Sequence, residues 1–151
     1  MSETVRIWLP ITFPTMNETL AAARTRRGSW SKYNDLKSKH TKQVELLTRS
    51  YRNKNIASAH ITFEWYRKDR RQDPDNIASG AKYVLDGLVD AGVLQGDRFA
   101  NIKSIRHTFH VSKEPGVWVV IQPTDKEQHD TRIPTKIRRV KPPDKLRRDH
   151  L

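Results

Sequence analysis

Between Val5 and Phe13 the odd positions (Val5, Ile7, Leu9, Ile11, Phe13) are apolar and most even ones are not, the two-residue period of a half-buried strand. Pro10 cannot donate to a ladder, which predicts a sheet edge for this strand. The period then lengthens. Tyr33, Leu36, His40, Val44, Leu47 and Tyr51 fall at steps of three and four, predicting a long helix, and Gly28 is expected to separate it from a short one over Glu18 to Arg24. Ala59, Ile61, Phe63 and Trp65 alternate with His60, Thr62, Glu64 and Tyr66, the clearest strand in the chain. Ile77, Ala81, Val84, Leu85 and Leu88 form a narrow stripe on one further helix, with Gly92 placed to end it. Gly80 inside a helix costs ~1 kcal/mol relative to Ala. That favours a start near Ser79 and a longer loop before it. Two more strands, Ile102 to Val111 and Val117 to Ile121, flank Lys113-Glu114-Pro115-Gly116, whose Pro then Gly suits a tight turn. The pattern therefore predicts a strand–helix crossover followed by a hairpin.

These elements add up to an α+β fold, a small mixed β-sheet packed with α-helices. The expected organisation is one domain over residues 1–122 and a basic, disordered tail over 123–151, where four prolines and nine Lys/Arg show no period. With 151 residues the chain can bury a sizeable core but not two independent ones. The absence of cysteine excludes a disulfide scaffold, a thiol nucleophile and Cys-ligated metal. Any metal must sit on oxygen or imidazole. No apolar run approaches the ~20 residues of a spanning helix and no secretory signal pattern opens the sequence, so the expected setting is cytoplasmic, with no membrane partner. Lys and Arg number 29 against 17 Asp and Glu, a formal charge of +12. Such an excess points to a polyanion, and nucleic acid leads.

Asp73-Pro74-Asp75-Asn76 places two carboxylates two residues apart where the clearest strand gives way to a helix, and Asp97 follows that helix after Gln95-Gly96. Gathered inside a basic chain, three carboxylates call for a cation, and hard oxygen ligands suit Mg²⁺. Convergence requires the stretch from Gly92 to Gly96 to fold over. The plainer alternative makes Asp73 an N-cap with Pro74 at the first helical position and lets Asp75 complement the helix dipole. Lys82 falls on the same helical face as Asp75, and Arg67, Lys68, Arg70 and Arg71 precede Asp73. A cation beside carboxylates is an ordinary surface pair or the positive group that phosphate transfer requires. Asp86 is expected to pair with Lys82 at i+4, and Asp90 to lie on the same polar face. The histidines show no ligand spacing, and the four tryptophans are read as core or dimer-interface residues ahead of base-stacking platforms.

Asp73-Pro74-Asp75-Asn76, Lys82, Asp86, Leu88, Ala91-Gly92-Val93 and Asp97 together resemble the signature of the RusA-type Holliday junction endodeoxyribonucleases, small proteins common in bacteriophages and prophages. That signature is a D-x-D-N motif opening a helix, a lysine within it, a D-x-L step, an A-G turn and a further aspartate. The element order agrees from Val5 to Ile121, but the specific part is Asp73 to Asp97. The resemblance implies an intimate homodimer that hydrolyses paired phosphodiesters in four-way DNA, using Mg²⁺ with Mn²⁺ as a substitute, in recombination and repair. By position Asp73, Asp75 and Asp97 become catalytic metal ligands and Lys82 the catalytic lysine. Arg67, Lys68, Arg70 and Arg71, with the Lys/Arg of the first helices, would grip the DNA backbone. This chain departs in one place: Asn76 to Lys82 is longer than the compact D-N-x-x-K spacing by the residues around Ser79-Gly80, while Lys82 to Asp86 matches. The competing expectations are a non-catalytic DNA-binding accessory protein and a related nuclease for other branched DNA. No small-molecule substrate is expected.

Overall fold

The computed structural model describes residues 3–28 and 30–124. Its element order is β1 (Val5–Leu9), α1 (Met16–Ala23), β2 (Arg26–Arg27), β3 (Trp30–Ser31), α2 (Lys32–Thr48) with a 3₁₀ extension to Lys54, β4 (Ala59–Arg67), α3 (Pro74–Ala78), α4 (Ala81–Asp90), β5 (Ile102–Val111) and β6 (Gly116–Pro123). The architecture is mixed α and β. A four-stranded sheet runs β1-β6-β4-β5, and β2 and β3 form a separate small hairpin. No helix among the described residues is long and apolar enough to cross a membrane.

Strand chemistry explains the order. Ile61, Phe63 and Trp65 of β4 and Val117, Val119 and Ile121 of β6 are all at most 3% exposed, so these two strands take the centre and pair antiparallel. Strand β1, stopped by Pro10, pairs β6 at one edge, as its proline predicts. Strand β5 alternates without burying either face well, and it takes the other edge, parallel to β4. The expected hairpin is therefore overturned. β5 and β6 are not neighbours, because β4 lies between them. Pro115-Gly116 does reverse the chain, but the reversal passes across the end of β4, where Ser112 N donates to Arg67 O at 2.8 Å. Burial of two apolar central strands outweighs local turn chemistry. The strand–helix crossover is present: the parallel β4–β5 pair is joined through α3 and α4.

The helices cover one face. The buried positions of α2 are Thr41, Val44 and Thr48, whereas Leu47, expected inside, is 48% exposed. The physical reason is the crossing with α4. A Cβ on Gly87 would collide with Val44 Cβ and come within 3.0 Å of Thr41 O, so the two helices touch at the level of their backbones there. Thr48 satisfies its buried hydroxyl on Val44 O at 2.8 Å. The single helix expected from Ile77 to Leu88 is two, α3 and α4, joined through Ser79 and Gly80. Space dictates Gly80, since a Cβ would stand 3.0 Å from Phe13 Cβ and 3.1 Å from the Trp65 ring. The carboxylate segment is consequently a short helix and not an extended loop. Gly92, at φ 80°, ends α4 as expected. β6 continues to Pro123, and Thr124 N still bonds Ser58 O at 3.0 Å. The rest of the expected tail lies outside the described residues.

Candidate active site

The site is built around the C-terminal end of β4. Arg67 closes that strand, the chain turns through Lys68, Asp69, Arg70, Arg71 and Gln72, and Asp73 takes the N-cap position of α3 with Pro74 at the first turn. Asp73 has the extended backbone of an N-cap (φ −70°, ψ 150°), and its carbonyl accepts from Asn76 N and Ile77 N at 3.0 and 3.1 Å. Its carboxylate makes no capping hydrogen bond. The side chain is exposed and lines a groove of about 630 Å³ with Arg67, Arg70, Trp65, Phe109 and His110. The capping alternative thus accounts for the Asp73 backbone and not for its charge. Asp75, also exposed, sits in the first turn of α3, where Asn76 N donates to its Oδ1 at 2.9 Å. That contact is the dipole-complementing arrangement expected of an acidic residue there.

Asn76 has a different job. Its side-chain oxygen accepts from Asn17 N at 3.0 Å, and its amide nitrogen donates to Gln72 Oε1 at 2.6 Å. It caps the start of α1 and ties that helix to the turn bearing the carboxylates. An asparagine supplies both acceptor and donor from one planar group, which a carboxylate cannot.

Lys82 is the second residue of α4, its side chain 58% exposed, and donates to Asp86 Oδ1 at 3.1 Å. The i+4 pair expected from sequence is formed. That hydrogen bond raises the Lys82 pKa above its ordinary value against partial desolvation, with the charges of Asp86, then Asp97, then Tyr33 adding to it. The chain does fold over beyond Gly92, where Val93 N and Leu94 N return to Leu88 O and Gln95 N bonds Ile56 O at 2.9 Å, but this ties the stretch carrying Asp97 to the start of β4, and it does not gather Asp97 with Asp73 and Asp75 beyond the strand's other end. Val93 and Leu94 are buried, which pins the turn and delivers Asp97 to solvent beyond it. Asp86 is claimed from both sides, because Lys37 of α2 approaches its Oδ2 at 3.7 Å.

The structure therefore brings Asp73 together with Arg67 and Arg70 in the groove and Lys82 together with Asp86, and among the described residues it does not gather Asp97 with Asp73 and Asp75 as a metal-holding group. Lys68, Arg70 and Arg71 are exposed on the turn, and Arg71 Nε is held 3.7 Å from Asp69. Among the described residues no three His, Asp or Glu side chains converge as a metal-holding group. A second basic surface lies on α2, among the Lys/Arg of the first helices expected to join the DNA grip. Lys37, Lys39 and Lys42 of α2 line an open groove of about 690 Å³ that also contains Glu45 and Asp90. Their spacing along one helix was a usable signal. Phe99, wholly exposed two residues beyond Asp97, was missed. No family model matches the chain, and no curated protein matches it.

Proposed function

We propose that this protein is a Mg²⁺-dependent, structure-selective endodeoxyribonuclease that resolves four-way DNA junctions as a homodimer. The observation that carries the reading is the Asp73 carboxylate, which occupies a capping position without capping and instead faces a groove edged by Arg67 and Arg70. A pure DNA binder gains nothing from a carboxylate held beside its phosphate-binding arginines, whereas a phosphodiesterase needs both. Mg²⁺ is commonly bound through one or two carboxylates plus waters and substrate phosphate. The exposed oxygens of Asp73, Asp75 and Asp97 offer donors of that kind without a preformed three-carboxylate group. When bound, the ion would supply a water of lowered pKa and neutralise charge on the phosphate.

The remaining work belongs to the chain itself. Arg67, Lys68, Arg70 and Arg71 contact backbone phosphates and set the register of the strand in the groove. Lys82, kept cationic by Asp86, presents an ammonium toward a phosphate or leaving oxygen. Asn76 and Gln72 hold the carboxylate turn in place from behind. Two symmetric incisions need two sites related by a two-fold axis, which one isologous interface provides. Ile105, exposed on the β5 edge and outside the groove, offers apolar surface for such an interface.

The test is cleavage of a synthetic four-way junction with and without Mg²⁺ against linear duplex of the same sequence, with the mass measured by light scattering. Metal-dependent paired incision of the junction by a dimer is expected. Binding without cleavage in any divalent metal would leave the accessory-protein reading in its place.

A further inference from the structure

Phe99 is completely exposed, and it stands in a turn otherwise made of polar or small residues, Gln95-Gly96-Asp97-Arg98-Phe99-Ala100-Asn101. The turn is tightly held. Asn101 Oδ1 accepts from Arg98 N at 3.2 Å, and Asn101 Nδ2 donates to Ala57 O at 2.9 Å. Asn101 N and Ile102 N both return to Arg98 O, at 2.9 and 3.1 Å, and Ala59 N bonds Asn101 O at 2.9 Å, which fastens the turn to the start of β4. Gly96 leaves the space that the Asn101 amide fills, since a Cβ there would lie 2.5 Å from Asn101 Oδ1. A rigid support thus holds an aromatic ring in water, next to Arg98 and two residues from Asp97.

A lone ring amid polar neighbours is poorly suited to a protein interface, which buries contiguous apolar patches. The larger exposed apolar surfaces lie elsewhere, on β5 and at Leu46 and Leu47 of α2. An exposed aromatic ring that follows Arg98 in sequence, on a chain of charge +12, instead fits a nucleic-acid base. We infer that Phe99 stacks on a base unstacked at the DNA branch point, so that the ring beside Asp97 recognises the junction and not the duplex. The inference rests on the proposed junction reading for its ligand, but it concerns binding and not hydrolysis. A continuous duplex offers no free base face, so the ring contributes selectivity only where stacking is already broken.

The experiment measures the affinity of full-length wild type, Phe99→Ala and Phe99→Tyr for a four-way junction and for linear duplex, in Ca²⁺ at one salt concentration. Phe99→Ala is expected to lose about tenfold in junction affinity, the scale of one base–aromatic stack, with duplex affinity unchanged. Phe99→Tyr is expected to bind as wild type does. Equal junction affinity for Phe99→Ala and wild type would overturn the inference. So would a parallel loss on both DNAs, or a fall in dimer mass by light scattering, since these assign the ring to general binding or to a subunit contact. Junction-selective loss with no cleavage by wild type in Mg²⁺ would uphold the stacking role and sink only the nuclease reading.

Discussion

The indole N–H of Trp65 on β4 donates to Nδ1 of His107 on β5 at 2.9 Å, with the two rings nearly parallel. The bond requires His107 to keep Nδ1 unprotonated, and Phe63, stacked on the imidazole at 5.3 Å, helps shut out water. Burial holds the His107 pKa below its ordinary value of 6.5. His40 is lowered too, first by burial and then by Lys39.

Stability should therefore fall in mild acid. Above pH 6.5 both histidines are neutral folded or unfolded and contribute no pH dependence. As pH drops through 6.5 the unfolded chain binds protons that the folded chain refuses, so stability declines from there down through the lowered folded values. Urea midpoints measured between pH 8 and 5 are expected to be flat and then to fall. His107→Asn should flatten the fall in part, and an unchanged profile would remove His107 from the account.

The crossing of α2 and α4 gives a second expectation. In an ordinary helix Gly→Ala gains ~1 kcal/mol of propensity. At Gly87 the added methyl group meets Val44 and the Thr41 carbonyl, neither of which is the loose end of a flexible side chain. Overpacking of this kind costs about 1–3 kcal/mol, and it outweighs the propensity gain. Gly87→Ala should lower stability by roughly 1–2 kcal/mol in chemical denaturation. A more stable variant would mean that the helices separate without strain.

Alternation, Pro10, Gly92 and the strand–helix crossover were read correctly, whereas the neighbours of β6 and the break at Ser79-Gly80 were not. Alternation located β1 and β4, Pro10 placed β1 at an edge, and Gly92 ended α4, because each rests on backbone chemistry within a few residues. Pro115-Gly116 announced a reversal but not its partner. That choice depends on which strands bury most apolar surface, a property of the whole sheet. Thr41 and Thr48 are polar residues on the inner side of α2, Thr41 where Gly87 lets the two helix backbones meet and Thr48 with its hydroxyl on Val44 O. In the candidate site, the carboxylates and Lys82 were legible from spacing. The placing of Asp97 depends on Val93 and Leu94 turning into the core, and the exposure of Phe99 has no local signature.

DNA binding should be strongly salt-dependent, and the C-terminal segment should account for part of it. Because β6 pairs through Pro123 and Thr124 bonds Ser58, truncation belongs after Thr124. Removing residues 125–151 takes away nine Lys/Arg and five Asp/Glu, a net loss of four positive charges. Weaker binding and a shallower slope of log K against log salt are expected, with single-turnover cleavage at saturating protein retained. Loss of that cleavage in a folded truncation would assign the segment to the active site.

Asp97 separates the two readings of the acidic residues most sharply. Asp75 supports its own helix start, so its replacement mixes folding with chemistry. Asp97 is exposed in a turn whose hydrogen bonds come from Asn101 and the backbone, and Asp97→Asn should change stability by no more than about 0.5 kcal/mol. If its carboxylate serves a Mg²⁺ ion, the variant keeps the shape and loses the charge the ion needs. Cleavage is then expected to slow by about 100-fold, on the scale of disturbed metal ligation. Junction binding in Ca²⁺ should be equal or tighter, because one negative group near phosphate has gone. Asp73→Asn should behave alike, since its carboxylate makes no cap to lose. Wild-type cleavage rates in Asp97→Asn, with Asp73→Asn impaired, would confine the chemistry to the groove at the end of β4 and return Asp97 to its turn.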